Sequence, residues 1–386
     1  MGEGLYHALG EESLPRVPCG VYSPVGAHKD LLPYLVRRLL ENGANTSFVN
    51  RIADDAAPIE DVIRNPIELL ESAPYEPHPG IPLPSRMFAP ERVNSAGIDL
   101  SDCASAAPLC AAIEQALTED RVARPIVAGE EQGGTPIPVR DPGDQRCTVG
   151  TVMEAGESAI QQALASANGA HSNWSESGGE MRAEALDKYA ELLEQNRAQA
   201  MAMCIREAGK TIPDALAEVR EAVDFARYYA QRASIDFTAP IRLPGPTGED
   251  NTIALASRGV FACISPWNFS LAIFSGQVLA ALAAGNAVIA KPDEQTPPAA
   301  AFAVRLMYQA GIPADVLHFL PGSGASVGAA LTGAEEIAGV AFTDSEGIAD
   351  VTVTGSVETA RLIGKSLAAK SGPLALSLPR PAGKTS

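Results

Sequence analysis

The second half of this sequence predicts an α/β fold built on a parallel sheet, and three observations carry that prediction. From about residue 150 onward, strand-length apolar runs alternate with helical segments, the pattern of βαβ units. The run "GVFACI" ends at a Pro-Trp-Asn turn, and "NAVIAKP" repeats that design one unit later. A third run, "VLHFL", opens into the glycine-rich loop "PGSGASVG".

Three long helices precede the strands. They fit "AGESAIQQALASANGAHSNW", "GGEMRAEALDKYAELLEQNRAQAMAMCIREAGK" and "IPDALAEVREAVDFARYYAQRA". β-type alternation follows in "TIALASRGVFACISPWN", then a helix near 275–284, a strand at "NAVIAKP", a helix near 297–310 and a strand at "VLHFL". "IAGVAFT" (337–343) returns as "IADVTVT" (348–354), a local duplication too short for a solenoid,.

The first 150 residues have a different texture. Residues 1–52 read as a strand, "GVYSPVG", and a helix whose Leu31, Leu32, Leu35, Val36, Leu39 and Leu40 form one apolar stripe,. At 100° per residue, Tyr34, Arg37, Arg38 and Glu41 fall together on the other side, and Gly43 is placed to cap the end,. Residues 53–150 read as a connector, because "APYEPHPGIPLPSRMFAPERVNS" holds too much proline for a helix or a central strand,. A helix over roughly 104–119 interrupts it. Residues 151–386 complete a three-part division.

Composition narrows the function. At 386 residues two or three folding units are expected, and 46% apolar content suffices for a large core,. The net charge of −18 argues against a nucleic-acid partner, which needs a basic surface. The six cysteines and five histidines show no metal-ligand spacing, so no metal is expected, and the unpaired cysteines point to a reducing compartment. The longest apolar run, at 277–290, is interrupted by Gly285 and Asn286 and is too short to span a bilayer,. The N-terminal residues do not resemble a signal peptide, and a cytoplasmic location is expected.

Each chemical motif admits two readings from its residues. In "SPWNF" (265–269), Asn268 offers an amide able to donate to a developing oxyanion at a strand's carboxyl end,; it also fits an ordinary turn with Trp267 as packing. In "AKPDEQTP" (290–297), Lys291 and Glu294 can bind ribose hydroxyls or form an exposed ion pair worth little,. Gly322, Gly324 and Gly328 suggest a phosphate-cradling loop, yet their spacing is not G-x-G-x-x-G,.

Taken in order, "EAGKTIPDALAEVREAVDFARYYA", "SPWNF", "AAGNAVIAKPDEQTP", "AGIPADVLHFLPGSGASVGAAL" and "VTGS" resemble the aldehyde dehydrogenase superfamily over about 200 residues. The resemblance implies a Rossmann-like NAD-binding domain with Ile264, Pro266, Trp267, Lys291, Glu294, Gly324, Gly355 and Ser356 lining the NAD site. It also implies Asn268 as the residue that stabilises the thiohemiacetal oxyanion. "VYSPVGAHKDLLPYLVRRLLENGANTSFVNRIAD" looks like the last strand and helix of a (β/α)8 proline dehydrogenase barrel. Together the two resemble the bifunctional proline utilization A family. There a flavin-dependent barrel oxidises proline, and an NAD-dependent domain oxidises the resulting glutamate semialdehyde to glutamate.

By that resemblance Arg37 and Arg38 would clamp the proline carboxylate, a role for which guanidinium forks are suited. Glu41 would orient them and Tyr22 would border the pocket. Without the resemblance, the same residues read as a charge cluster on a wet helix face. The expected cofactors are NAD and, in the intact family, FAD. Expected partners are a small-molecule substrate, the inner-membrane face in intact members, and a homo-oligomer or complementing subunit.

The sequence also departs from that family. Only the last 50 or so residues of a barrel that needs about 250 are recognisable, so the flavin segments are expected to be missing. "GPLALSLPRPAGKTS" diverges where the family's general-base glutamate is expected, and the nucleophilic cysteine of a later catalytic domain has no match. Cys147 in "DQRCTV" lies in the wrong order for that role. Because thiolate and base are both needed for covalent aldehyde oxidation, the chain alone is expected to turn over little. The alternative is a non-catalytic NAD-binding or interaction protein, or a remnant.

Overall fold

The computed structural model describes residues 25–27, 31–32, 34–36, 54, 58–65, 67–68, 71, 80–118, 121–343, 355–370 and 376–379. The chain divides into two compact units, Met1–Ile81 and Pro82–Ser386. In the first, positions 31–32 and 34–36 are helical, as the sequence predicts. Leu32, Leu35 and Val36 of the predicted apolar stripe are exposed there. Val25–Ala27 hold no strand, and the rest of the predicted strand lies outside the described residues.

The second unit opens with a 3-10 turn (Pro84–Arg86), then α1 (Cys103–Leu117), whose first turn is capped by the Asp102 carboxylate accepting from the backbone N–H groups of Ala104 and Ser105,. Strands β1 (Val122–Ala123), β2 (Ile126–Val127), β3 (Glu130–Glu131), β4 (Thr135–Arg140) and β5 (Thr148–Glu154) follow. Next come α2 (Glu157–Glu176), α3 (Gly179–Gln195), α4 (Arg197–Ala208) and α5 (Ile212–Asp236). One long helix was predicted over α3 and α4, but two form. Asn196 breaks the run at φ −101°, ψ 25°, and its amide donates back to Leu192 O at 2.8 Å, a local bond that competes with helix continuation.

Gly209, in the left-handed region at φ 66°, closes α4,, and Thr211 caps α5 by accepting from Asp214 N. Beyond a short hairpin, β6 (Ile241–Leu243) and β7 (Asn251–Ile253), the αβ alternation begins. It runs β8 (Val260–Ile264), α6 (Ala272–Ala283), β9 (Ala287–Lys291), α7 (Pro297–Gln309) and β10 (Leu317–Phe319). A π-helical turn (Gly324–Gly328), α8 (Ala329–Gly333), β11 (Ile337–Phe342), α9 (Gly355–Ala368) and β12 (Leu376–Pro379) complete it. The second copy of the predicted repeat lies outside the described residues; the first is β11.

The main sheet has the order β12-β11-β8-β9-β10-β2-β3. Its first five strands are parallel, while β2 and β3 pair antiparallel at one edge. Every residue of β8 and β9 is buried, as strands covered on both faces must be. Strand order reverses between β8 and β11, the first and fourth parallel strands, so the switch point of a doubly wound sheet falls there. A second sheet, β1-β5-β4, stands apart from it. Residues 53–150, read from sequence as a connector, therefore supply α1 and β1–β4 to folded structure.

The proline-rich stretch is also held by named bonds. The Asp224 carboxylate on α5 accepts from Ser95 N (2.6 Å) and Ser95 Oγ (2.9 Å). Glu194 on α3 accepts from Ala96 N, and Arg197 donates to Ala96 O. Extended backbone that lacks a sheet partner finds its hydrogen bonds on helix side chains.

Candidate functional site at the carboxyl ends of the strands

Parallel pairing brings the candidate residues to one edge. Ile264 ends β8 in register with Lys291 on β9 and with Phe342 on β11. Pairing continues one step beyond the strands, where Ser265 N donates to Lys291 O and Thr343 N donates to Ile264 O. The turn after β8 holds Pro266, buried, and Trp267 and Asn268, half-buried. Asn268 Oδ1 is buried and has no hydrogen-bond partner among the described residues. A polar atom left so is unusual and needs an explanation.

The turn after β9 and the loop after β10 meet. Lys291 is 4% exposed, and its Nζ donates to Pro292 O at 3.1 Å. Burial lowers its pKa, against the opposing pull of Glu294, Asp293 and Glu154. Glu294 is exposed, and its Oε1 accepts from Gly324 N at 2.6 Å. On the other flank of the loop, a Cβ at Gly328 would lie 3.8 Å from Lys291 Cε. A Cβ at Gly322 would come within 2.5 Å of Val327 Cγ2, so that position requires glycine for close packing. Ser323 Oγ accepts from Ser326 N and closes the first turn of the loop.

Gly355 and Ser356 begin α9; their side chains lie outside what is described. Tyr22, Arg37, Arg38 and Glu41 lie wholly outside the described residues. One residue that the motifs did not single out stands at the switch point. The Gln277 amide on α6 spans the ends of β8 and β11, its nitrogen toward Ile264 O (3.2 Å) and its oxygen accepting from Thr343 Oγ1 (2.7 Å), the orientation that satisfies both halves. Its only sequence signal is one long polar side chain within an otherwise small and apolar helix. A groove of about 540 Å³, lined by residues that include Glu91, Asp187 and Arg227, contains none of the candidates.

Three of the five described thiols sit where the thiolate is disfavoured. Burial pushes Cys263 up to about 12, and Cys204 is raised by burial and by the charges of Glu218 and Glu207. Cys147 is raised chiefly by the charge of Asp144. A reactive cysteine needs the opposite environment.

With this geometry in place, family relationships follow. The aldehyde dehydrogenase family model matches residues 128–379, more than half of the sequence, and the proline dehydrogenase model matches residues 1–51. The chain belongs to the aldehyde dehydrogenase family. Within it, the similarity is to the bifunctional PutA proteins. It is 44% identical to the bifunctional protein PutA of Klebsiella aerogenes over 342 residues, covering 86% of this chain and 25% of that protein. A crystal structure of proline utilization A from Bradyrhizobium japonicum superposes with a TM-score of 0.69 at 40% identity, over 99% of this chain and 34% of that one. A Thermus 1-pyrroline-5-carboxylate dehydrogenase with bound NAD gives 0.69 at 28% identity, over 75% and 55% of the two chains. The chain thus spans about a quarter of the length of the curated PutA relative.

Proposed function

We propose that the second unit binds NAD along the carboxyl ends of β8, β9 and β10, in the service of oxidising glutamate semialdehyde to glutamate during proline breakdown. The observation that carries this reading is the convergence of Lys291, Glu294 and Gly324 on one edge. A cation and a carboxylate on one βα turn match a ribose diol, which both donates and accepts hydrogen bonds. The residues therefore fit the cofactor. Lys291 and Glu294 would hold the ribose, Ile264, Pro266 and Trp267 would wall the site, and Gly324 with the start of α9 at Gly355 and Ser356 would complete it. NAD, when bound, supplies the hydride acceptor.

Asn268 is the residue we assign to the reacting carbonyl. Its Oδ1 has no partner among the described residues, and its N–H₂ is the half of the amide able to donate to a developing oxyanion. The family motifs name no thiolate or base in this sequence, and for the chain by itself the raised thiols Cys147, Cys204 and Cys263 fit the non-catalytic NAD-binding reading. Residues 1–52 fit the end of a proline dehydrogenase barrel, with Arg37, Arg38, Glu41 and Tyr22 about the proline carboxylate.

A cytoplasmic location fits the five free cysteines among the described residues, where no helix is long and apolar enough to cross a membrane. A homo-oligomer fits the hairpin β6–β7, which presents Ile241, Leu243 and Ile253 to solvent,. Calorimetric titration of the purified chain with NAD tests the reading. Saturable heat is expected, with no NAD reduction on adding glutamate semialdehyde; no heat at millimolar NAD overturns it.

A further inference from the structure

Two residues outside the strand-end motifs hold the loop that carries Asn268. Gly209 turns the chain sharply between α4 and α5 and drops Lys210 into the interior. Lys210 Nζ lies 2.5 Å from Glu218 Oε2 on α5, with side-chain exposures of 12% and 0%. The other oxygen, Glu218 Oε1, accepts from Leu271 N at 2.8 Å and from Ala272 N at 3.3 Å. Those are the N-cap and first residue of α6. No side chain from α6 itself or from the turn before it caps that end, so a carboxylate from another helix does so, with the sign the helix dipole favours. The same Lys210 Nζ sits 4.2 Å from the centre of the Phe269 ring, the residue next to Asn268. One buried ion pair thereby grips the turn from both sides, by charge-assisted bonds at Leu271–Ala272 and by a cation–π contact at Phe269.

We propose that Lys210 and Glu218 are positioning residues that fix the Pro266–Ser270 turn and so place the Asn268 amide at the end of β8. This deepens the assignment of Asn268 to the carbonyl and rests on it. The physical logic is asymmetric. A buried pair adds little net stability over an apolar one, but removing one partner leaves a buried charge that must rearrange. Loss of Lys210 should therefore be felt first where Glu218 is bonded, in the turn.

The test is hydrogen exchange at the amides of Phe269–Ala272, with Trp267 emission read in a Trp174→Phe background. Lys210→Met should accelerate exchange at Leu271 and Ala272 about tenfold or more, the mark of local opening, and shift the Trp267 emission. Lys210→Arg, which can pair with a carboxylate and stack on a ring, should restore both. The control is Lys370→Met. Lys370 donates to Ala334 O and Ile337 O at the start of β11, the opposite end of the sheet from Asn268, and a purely structural lysine there should leave both readouts unchanged. If Lys210→Met does not fold, Glu218→Gln serves, because it keeps an acceptor for the two amides and loses only the charge. Leu271 and Ala272 should stay protected while Trp267 shifts. Unchanged exchange and emission in either variant, or equal changes in the control, overturn the proposal. Neither readout needs cofactor, so a failure to bind NAD would sink the functional reading and leave this result standing.

Discussion

Glu294 Oε1 accepts a 2.6 Å hydrogen bond from the backbone N–H of Gly324, joining the turn after β9 to the loop after β10. Both lie outside the carboxyl ends of the parallel strands, the side of an open α/β sheet on which ligands bind. The bond makes the two one surface. Glu294→Ala should free the glycine loop and remove a ribose acceptor together, weakening NAD by about tenfold or more, since hydrogen bonds to charged groups contribute roughly 1.5–3 kcal/mol. Titration calorimetry measures it, and an unchanged affinity would place the cofactor elsewhere.

The strap at residues 93–97 makes a second claim. Ser95 is 2% exposed and both its N–H and its hydroxyl donate to Asp224. Asp224→Ala should cost about 2 kcal/mol in urea unfolding, because a buried donor is left without its charged acceptor. A loss below about 0.5 kcal/mol, the range of ordinary surface substitutions, would mean that the strap is not docked as described.

His318 gives a pH dependence. Its Nδ1 accepts from Ala128 N, and its Nε2 therefore carries the proton donated to Asp315 O. Burial pushes the ring down to about 4. The folded-state pKa is thus below the unfolded value near 6.5, and the unfolded chain binds the extra proton between those limits. Stability is complete above about pH 6.5 and falls as pH drops toward 4, by on the order of 3 kcal/mol from this group. His318→Gln can donate and accept in the same places without titrating. Its unfolding free energy should fall less than the parent's over that window; parallel curves would contradict the assignment.

Much of the second unit was legible because its signals are local. The apolar strands β8, β9 and β10 each end at a turn whose residues announce it, so Lys291, Glu294, Asn268 and Gly324 could be named from sequence and were found at one edge. The break at Asn196 was not legible, because residues on both sides continue a helical period and the break rests on the backbone conformation of that one residue. Nor was the strap, whose partners Asp224 and Glu194 lie more than 90 positions away. Gln277 and Glu218 were missed for the same reason. Each is one polar residue on a helix, and its importance comes from which neighbour the fold delivers.

The most direct test of the cofactor site is a crystal structure of this chain with NAD bound. A ribose should lie within hydrogen-bond distance of both Lys291 and Glu294, with the dinucleotide crossing the ends of β8 and β9. NAD seated elsewhere, such as in the groove lined by Asp187 and Arg227, would contradict the account.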